Sequence, residues 1–217
     1  MNQTLRSLCL GLLVSLCAPW SLAQSVSDTT LNAQLLVAAR QGDVPRVKQA
    51  LSQGASPDSR NRVGKTALVM AAEKGQLELA QVMLEAGCNV NLASVEAVTP
   101  LMAASFQGSA ELVQALLKKG AKTDLVDHLH KPAMVYAAGQ GRTAVVQLLL
   151  DAGVDVNGVY AEQRLTALMW AAGQGHIDTV KLLLAKGART DLKDDRGLTA
   201  QDIAKATGHA DIAELIK

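Results

Sequence analysis

The stretch that decides the fold is TALVMAAEKGQLELAQVMLEAGCNVN, Thr66 to Asn91. Thr66 is a helix cap for the short apolar run Ala67 to Ala72. The paired Ala71-Ala72 leaves room for a second helix to approach closely. Gly75 turns the chain, and Leu77 to Leu84 predicts a second helix, apolar at 77, 79, 80 and 82 to 84. Gly87 ends that helix as a C-terminal glycine does. Asn89-Val90-Asn91 then runs extended into a turn and the next unit.

Working outward, the same plan recurs at Thr99-Pro100-Leu101-Met102-Ala103-Ala104 and at Thr166-Ala167-Leu168-Met169-Trp170-Ala171-Ala172. The turn glycines Gly42, Gly75, Gly108, Gly141, Gly175 and Gly208 are spaced by 33, 33, 33, 34 and 33 residues. A second series, Gly54, Gly87, Gly120, Gly153 and Gly187, keeps the same rhythm. Two glycine series in one period define an array of stacked units.

These residues resemble the ankyrin-repeat family, whose unit is a β-turn and two antiparallel helices carrying T-P-L-H-x-A. The resemblance implies an all-α solenoid of about six helix-turn-helix units over residues 31–217, with short β-turn or hairpin loops. Departures from the pattern are informative. Its histidine is replaced by Val69, Met102, Val135 and Met169, and Pro132 stands where Thr is expected. The loop after Asn157, Gly158 to Arg164, is one residue longer, and insertions in solenoids fall in loops, often on the binding face. The first unit, Leu35 to Gly42, and the last, Thr199 to Lys217, read as caps with solvated outer faces, closing a complete array.

Upstream, the first 23 residues read as a secretory signal. Arg6 is followed by an apolar run from Leu8 to Cys17, a break at Pro19, and Ser21-Leu22-Ala23 before Gln24. The run is too short for a good membrane span, an uncleaved anchor being the alternative. Leu8 before Cys9 and Leu16 before Cys17 argue against lipidation. Residues 24–30 are polar and are expected to be loose. The short signal points to a periplasmic protein of the bacterial envelope, with secretion as the alternative.

Composition narrows the function. Hydrophobic residues make up 49%, charged residues 19% and aromatics 2% of the chain, so a core of Ala, Leu and Val is expected and disorder is not. Removing Arg6 from the 21 basic residues leaves 20 against 20 acidic, a formal charge of zero. That provides no positive stripe for nucleic acid. Cys88 is the cysteine left beyond the signal, so the expected mature chain has no internal disulfide. The sequence holds no Gly-rich phosphate loop, nucleophile elbow or closely spaced ligand set. No catalytic residue, metal or cofactor is therefore assigned, and an enzyme is not expected.

His176 and His209 follow turn glycines, as is common in the family, and are read as structural. His128 and His130, two apart on a segment expected to be extended, could share a side and bind metal or sense pH, though a solvated turn is the simpler reading. Cys88 takes the position of Ala55, Ala121 and Ala188 and reads as a small buried hydrophobe, with redox sensing as the alternative. Tyr136 and Trp170 occupy the position of Met70 and Ala103 and are assigned to the interhelical core.

In the family, turn tips and the exposed ends of the first helices form a concave binding surface. Here those positions include Arg40-Gln41, Glu73-Lys74, Phe106-Gln107, Gly139-Gln140 and Gly173-Gln174 on helices. On tips they include Arg62-Val63, Val95-Glu96, His128-Leu129, Tyr160 to Gln163 and Asp195-Arg196. Phe106, the single Phe of the chain, stands where the family is usually polar, and an exposed ring is an expected interface anchor. The candidate protein-binding residues are Phe106, Gln107, His128, Leu129, Gln140 and Tyr160, acting in a monomer. The rival functions are a secreted effector engaging a host protein, and a redox- or metal-responsive stress-protection factor. The chain is also similar to small periplasmic bacterial ankyrin proteins, some of which are linked to catalase and peroxide protection.

Overall fold

The computed structural model describes residues 19–160 and 163–216. It contains twelve helices among these residues: α1 (Pro19–Gln41), α2 (Val44–Ser52), α3 (Ala67–Glu73), α4 (Leu77–Glu85), α5 (Pro100–Gln107), α6 (Ala110–Lys118), α7 (Ala133–Gly139), α8 (Thr143–Asp151), α9 (Ala167–Gly173), α10 (Ile177–Ala185), α11 (Ala200–Ala206) and α12 (Ala210–Leu215). A two-stranded ribbon, β1 (Val159–Tyr160) and β2 (Leu165–Thr166), pairs antiparallel with Val159 opposite Thr166. The helices form six antiparallel pairs stacked in two layers, the all-α solenoid that the family resemblance implied.

Both glycine series build the same local structure. After each first helix the residue following the glycine donates its amide to the carbonyl five residues back. Examples are Gln76 to Ala71, Ser109 to Ala104, Arg142 to Ala137 and His176 to Ala171. After the second helices the pattern repeats in Cys88 to Met83, Ala121 to Leu116, Val154 to Leu149 and Ala188 to Leu183. This six-to-one bond closes a helix on a left-handed residue and satisfies its orphan carbonyls.

First-helix starts are capped by side chains. Thr66, Thr99, Thr166 and Thr199 accept the amides of Val69, Met102, Met169 and Asp202. Met102 and Met169, in the histidine position of the family pattern, return the favour: their sulfurs lie 3.5 and 3.4 Å from the Thr99 and Thr166 amides. Pro132 has no side chain to offer, and the Val135 amide turns back to the Pro132 carbonyl instead.

The core runs the length of the stack between the layers. Leu68, Leu79, Met83, Leu101, Leu112, Leu116, Met134, Leu149 and Leu168 are fully buried in it. Truncating one of these to Ala costs about 2–5 kcal/mol. Neighbouring first helices touch one another more extensively than neighbouring second helices do. The paired alanines (38–39, 71–72, 137–138, 171–172), nearly all fully buried, permit that approach. A stack tighter on one layer bends toward it, so the first helices line the inner side.

Polar side chains tie successive units on the far side of the loops. Asn32 accepts the Ser56 amide, Asp58 that of Asn89, Asn91 that of Lys122 and Asn157 that of Arg189, all within 2.8 Å.

Residues 24–30, read from their polarity as loose, continue α1 as helix. No Gly or Pro interrupts the chain between Pro19 and Gly42, and Pro is tolerated in a first helical turn. Leu31 and Leu35 pack this helix on the core. Residues 1–18 of the expected signal lie outside the described residues. Among the described residues, no helix is long and apolar enough to cross a membrane.

Candidate protein-binding groove

Each loop between units projects a tight finger. In three of them the first residue closes the turn with its side chain: Asn61 Oδ1 accepts from Val63 and Lys65, Asp127 Oδ1 from Leu129 and Lys131, and Asp194 Oδ1 from Arg196 and Leu198. One position per finger is left-handed: Gly64, Ala97, His130, Arg164 and Gly197. Neighbouring fingers are joined by backbone bonds, Val95 to Val63 (3.1 Å), His128 to Glu96 (3.3 Å) and Asp195 to Gln163 (3.1 Å). The first three tips therefore form one joined ridge beside the inner helices, and the last two are joined in the same way.

That ridge is apolar at its centre. Val63, Val95 and Leu129, at the tips of three consecutive fingers, are 54%, 58% and 64% exposed. Below them, Phe106 on α5 is 47% exposed. Its ring meets Tyr136 on α7 edge to face, with centroids 6.1 Å apart and planes at 77°. Tyr136 Oη donates to Asp127 Oδ2, which latches the third finger to its helix. Burial first, and then the bond to Asp127, holds this phenol well above its ordinary range. One unit further, Trp170 on α9 lies over Gly139, where an added Cβ would meet its ring at 3.6 Å. Lys131 Nζ stands 4.7 Å from the centre of the same ring.

Tyr136 and Trp170, assigned from sequence to the interhelical core, are half-buried and lie at its rim. Their position in the unit looks into the groove, and a large ring there reaches out over the neighbouring helix. Sequence spacing placed them on the correct helix but did not show the row they form with Phe106.

The other expected site residues are distributed unevenly. Gln107 is exposed and leans over Gly75. Gln140 is exposed at the end of α7, in a row with Gln41, Gln107 and Gln174. His128 and Leu129 are exposed at the third tip, with His128 Nδ1 3.9 Å from Glu96. Tyr160 is not brought to Phe106. Its ring folds onto Gly158 of its own loop, its hydroxyl 3.4 Å from the Asp155 carbonyl. Burial, with the Asp155 charge adding, pushes that phenol up to about 12.

The other residues singled out in the sequence are also placed, and of these only the reading of His130 changes. His130 takes a left-handed turn position (φ 56°), so the extended segment that would put it on one side with His128 does not exist. Among the described residues, no three His, Cys, Asp or Glu side chains converge as a metal site. Burial, with Asp58 adding, pushes the Cys88 thiol up to about 11, which opposes the thiolate that redox chemistry needs. His176 and His209 lie across Gly141 and Gly175 of the preceding unit. A Cβ on those glycines would come within 2.6 and 2.5 Å of the rings, and His176 Nε2 lies 3.0 Å from the Gly139 carbonyl.

A rigid stack of paired helices with a finger ridge beside an aromatic floor is a repeat-built recognition scaffold. The chain belongs to the ankyrin-repeat family: the family model for ankyrin repeats (three copies) matches residues 35–127 and again 133–217. Repeats of this family are protein–protein interaction modules and are generally non-catalytic. No curated protein matched the chain in a sequence comparison.

Proposed function

We propose that this chain is a non-catalytic adaptor of the bacterial envelope, acting as a monomer in the periplasm. It binds a partner protein in the groove between the finger ridge and the first helices. The observation that carries the reading is the apolar and aromatic surface at the centre of the array. Phe106, Tyr136 and Leu129 converge there on a scaffold whose fingers are hydrogen-bonded to one another. Exposed rings in a pre-organised groove are the anchors that dominate protein interfaces, and rigidity lowers the entropic cost of binding. The balanced charge of the chain favours protein over nucleic acid as partner. The secretory character of residues 1–23 supports the envelope location.

The test is an in-cell crosslink and pull-down of the tagged protein from periplasmic and medium fractions. Wild type is compared with the Phe106→Ala, Leu129→Ala double variant, with Tyr160→Ala as control. One partner lost with the double variant and kept with the control supports the reading. Partners unchanged by the double variant move the interface off this groove. Recovery from the medium alone would favour a secreted effector.

A further inference from the structure

Asn32, Asp58, Asn91 and Asn157 tie successive units through backbone amides. Of these, Asn157 is followed by glycine, in the single Asn–Gly pair of the sequence. That glycine has a structural reason, because a Cβ on Gly158 would run into the Tyr160 ring folded over it. Asparagine is a chemically labile residue, and it is least shielded where the next residue has no Cβ to cover its backbone nitrogen. In the folded chain both reacting groups are held to other partners. Asn157 Oδ1 accepts the Arg189 amide at 2.8 Å and Nδ2 donates to the Gly187 carbonyl at 3.5 Å, both in the loop after α10. The Gly158 N–H donates instead within its own turn, to the Asp155 carbonyl at 3.1 Å.

We infer that Asn157–Gly158 is a deamidation site gated by the stacking of the fourth and fifth units, and that its conversion to isoaspartate removes the clamp between them. The reaction needs only water. Gly158 N loses its proton and bonds to Asn157 Cγ, the Cγ–Nδ2 bond breaks, and ammonia leaves. Water then opens the five-membered imide at either carbonyl, giving aspartate or isoaspartate. Such an internal attack is fast when nucleophile and carbonyl are aligned. The folded turn opposes that alignment by fixing the carboxamide on the next unit and the N–H on Asp155. Local opening of the stack releases both. Aspartate keeps an oxygen for the Arg189 amide. Isoaspartate lengthens the main chain by one atom and moves the free carboxylate onto Cα, out of register with that amide. The junction lies between the pairs that carry Tyr136 on α7 and Trp170 on α9, two rings of the groove. Asn91 is the internal comparison. It makes the same two bonds, to the Lys122 amide at 2.8 Å and the Gly120 carbonyl at 3.2 Å, but Leu92 follows it.

The test is incubation of the protein at mildly alkaline pH, folded and in guanidinium chloride, with peptide mass spectrometry at intervals. The amide-to-acid mass gain is expected on Asn157 in the tryptic peptide of residues 143–164. It accumulates at least about tenfold more slowly in the folded protein than in guanidinium, while Asn91 stays unconverted over the same period. Protein converted in guanidinium and then refolded melts about 2–4 °C below the starting material. Asn157→Gln, carried through the same cycle, keeps the melting temperature it began with, and Asn157→Asp melts close to wild type. Equal rates in folded and unfolded protein overturn the gate. Conversion at Asn91 as fast as at Asn157, or at neither, overturns the site. Converted protein that melts with the wild type, or an equal loss in Asn157→Asp, overturns the role of isoaspartate in removing the clamp.

Discussion

Phe106 stands edge-on to Tyr136, and the Tyr136 hydroxyl is tied to Asp127 on the finger that carries Leu129. A ring on one unit is thereby positioned by a latch on the next. Removing Phe106 and removing the latch should have separable effects. Phe106→Ala is expected to cost about 1 kcal/mol of stability, the scale of an aromatic pair, and to abolish partner capture. Tyr136→Phe keeps the ring pair and loses one hydrogen bond to a charged group, costing about 1–2 kcal/mol while retaining capture. Urea denaturation beside the pull-down reads both.

The left-handed finger position gives a pair of opposite predictions. Ala97 adopts φ 59° there, and Ala97→Gly relieves a conformation that costs an L residue about 1–2 kcal/mol. Part of this is offset by glycine's unfolded-state entropy, leaving a gain of roughly 0.5 kcal/mol. Gly64→Ala does the reverse, because it has φ 71° and its new Cβ would lie 2.8 Å from the Val95 backbone nitrogen. That change should destabilise by more than about 1 kcal/mol. Thermal melting of the two variants should therefore move in opposite directions.

Pro132 leaves α7 without the side-chain cap that α3, α5, α9 and α11 possess. Its backbone (φ −83°, ψ 175°) matches that of the capping threonines. Pro132→Thr should stabilise by roughly 0.5–1 kcal/mol. An unchanged or lower melting temperature would show that proline's restriction of the unfolded chain outweighs the cap.

Cys88 reports its burial through its reactivity. With the thiol pushed up to about 11, iodoacetamide alkylation of the folded protein should be slow at pH 8 and still accelerating at pH 10. An ordinary cysteine, with its pKa at about 8.5, would level off above roughly pH 9. A plateau there would restore the case for a redox role.

The repeat was legible in the sequence because its determinants are local. A glycine that closes a helix, a threonine that caps one and an alanine pair that admits a neighbour all act within a few residues. Repeating them every 33 residues specifies unit and register together. Phe106, Gln107, His128, Leu129 and Gln140 were placed on the surface by the family resemblance once that register was known, and they are exposed.

What only the tertiary structure decided is which exposed side chains meet. Phe106 and Tyr136 are far apart in sequence, and their contact depends on how α5 and α7 pack. Lys131 reaches Trp170 across a unit boundary, a relation no spacing rule encodes. Tyr160 sits in a lengthened loop, and whether it faced the groove or its own backbone depended on the room above Gly158. His130 lost its assumed partnership with His128 to a left-handed turn that glycine more often marks. Local chemistry repeats with the chain and can be read along it. The recognition surface is set between units, by the packing that brings their side chains together.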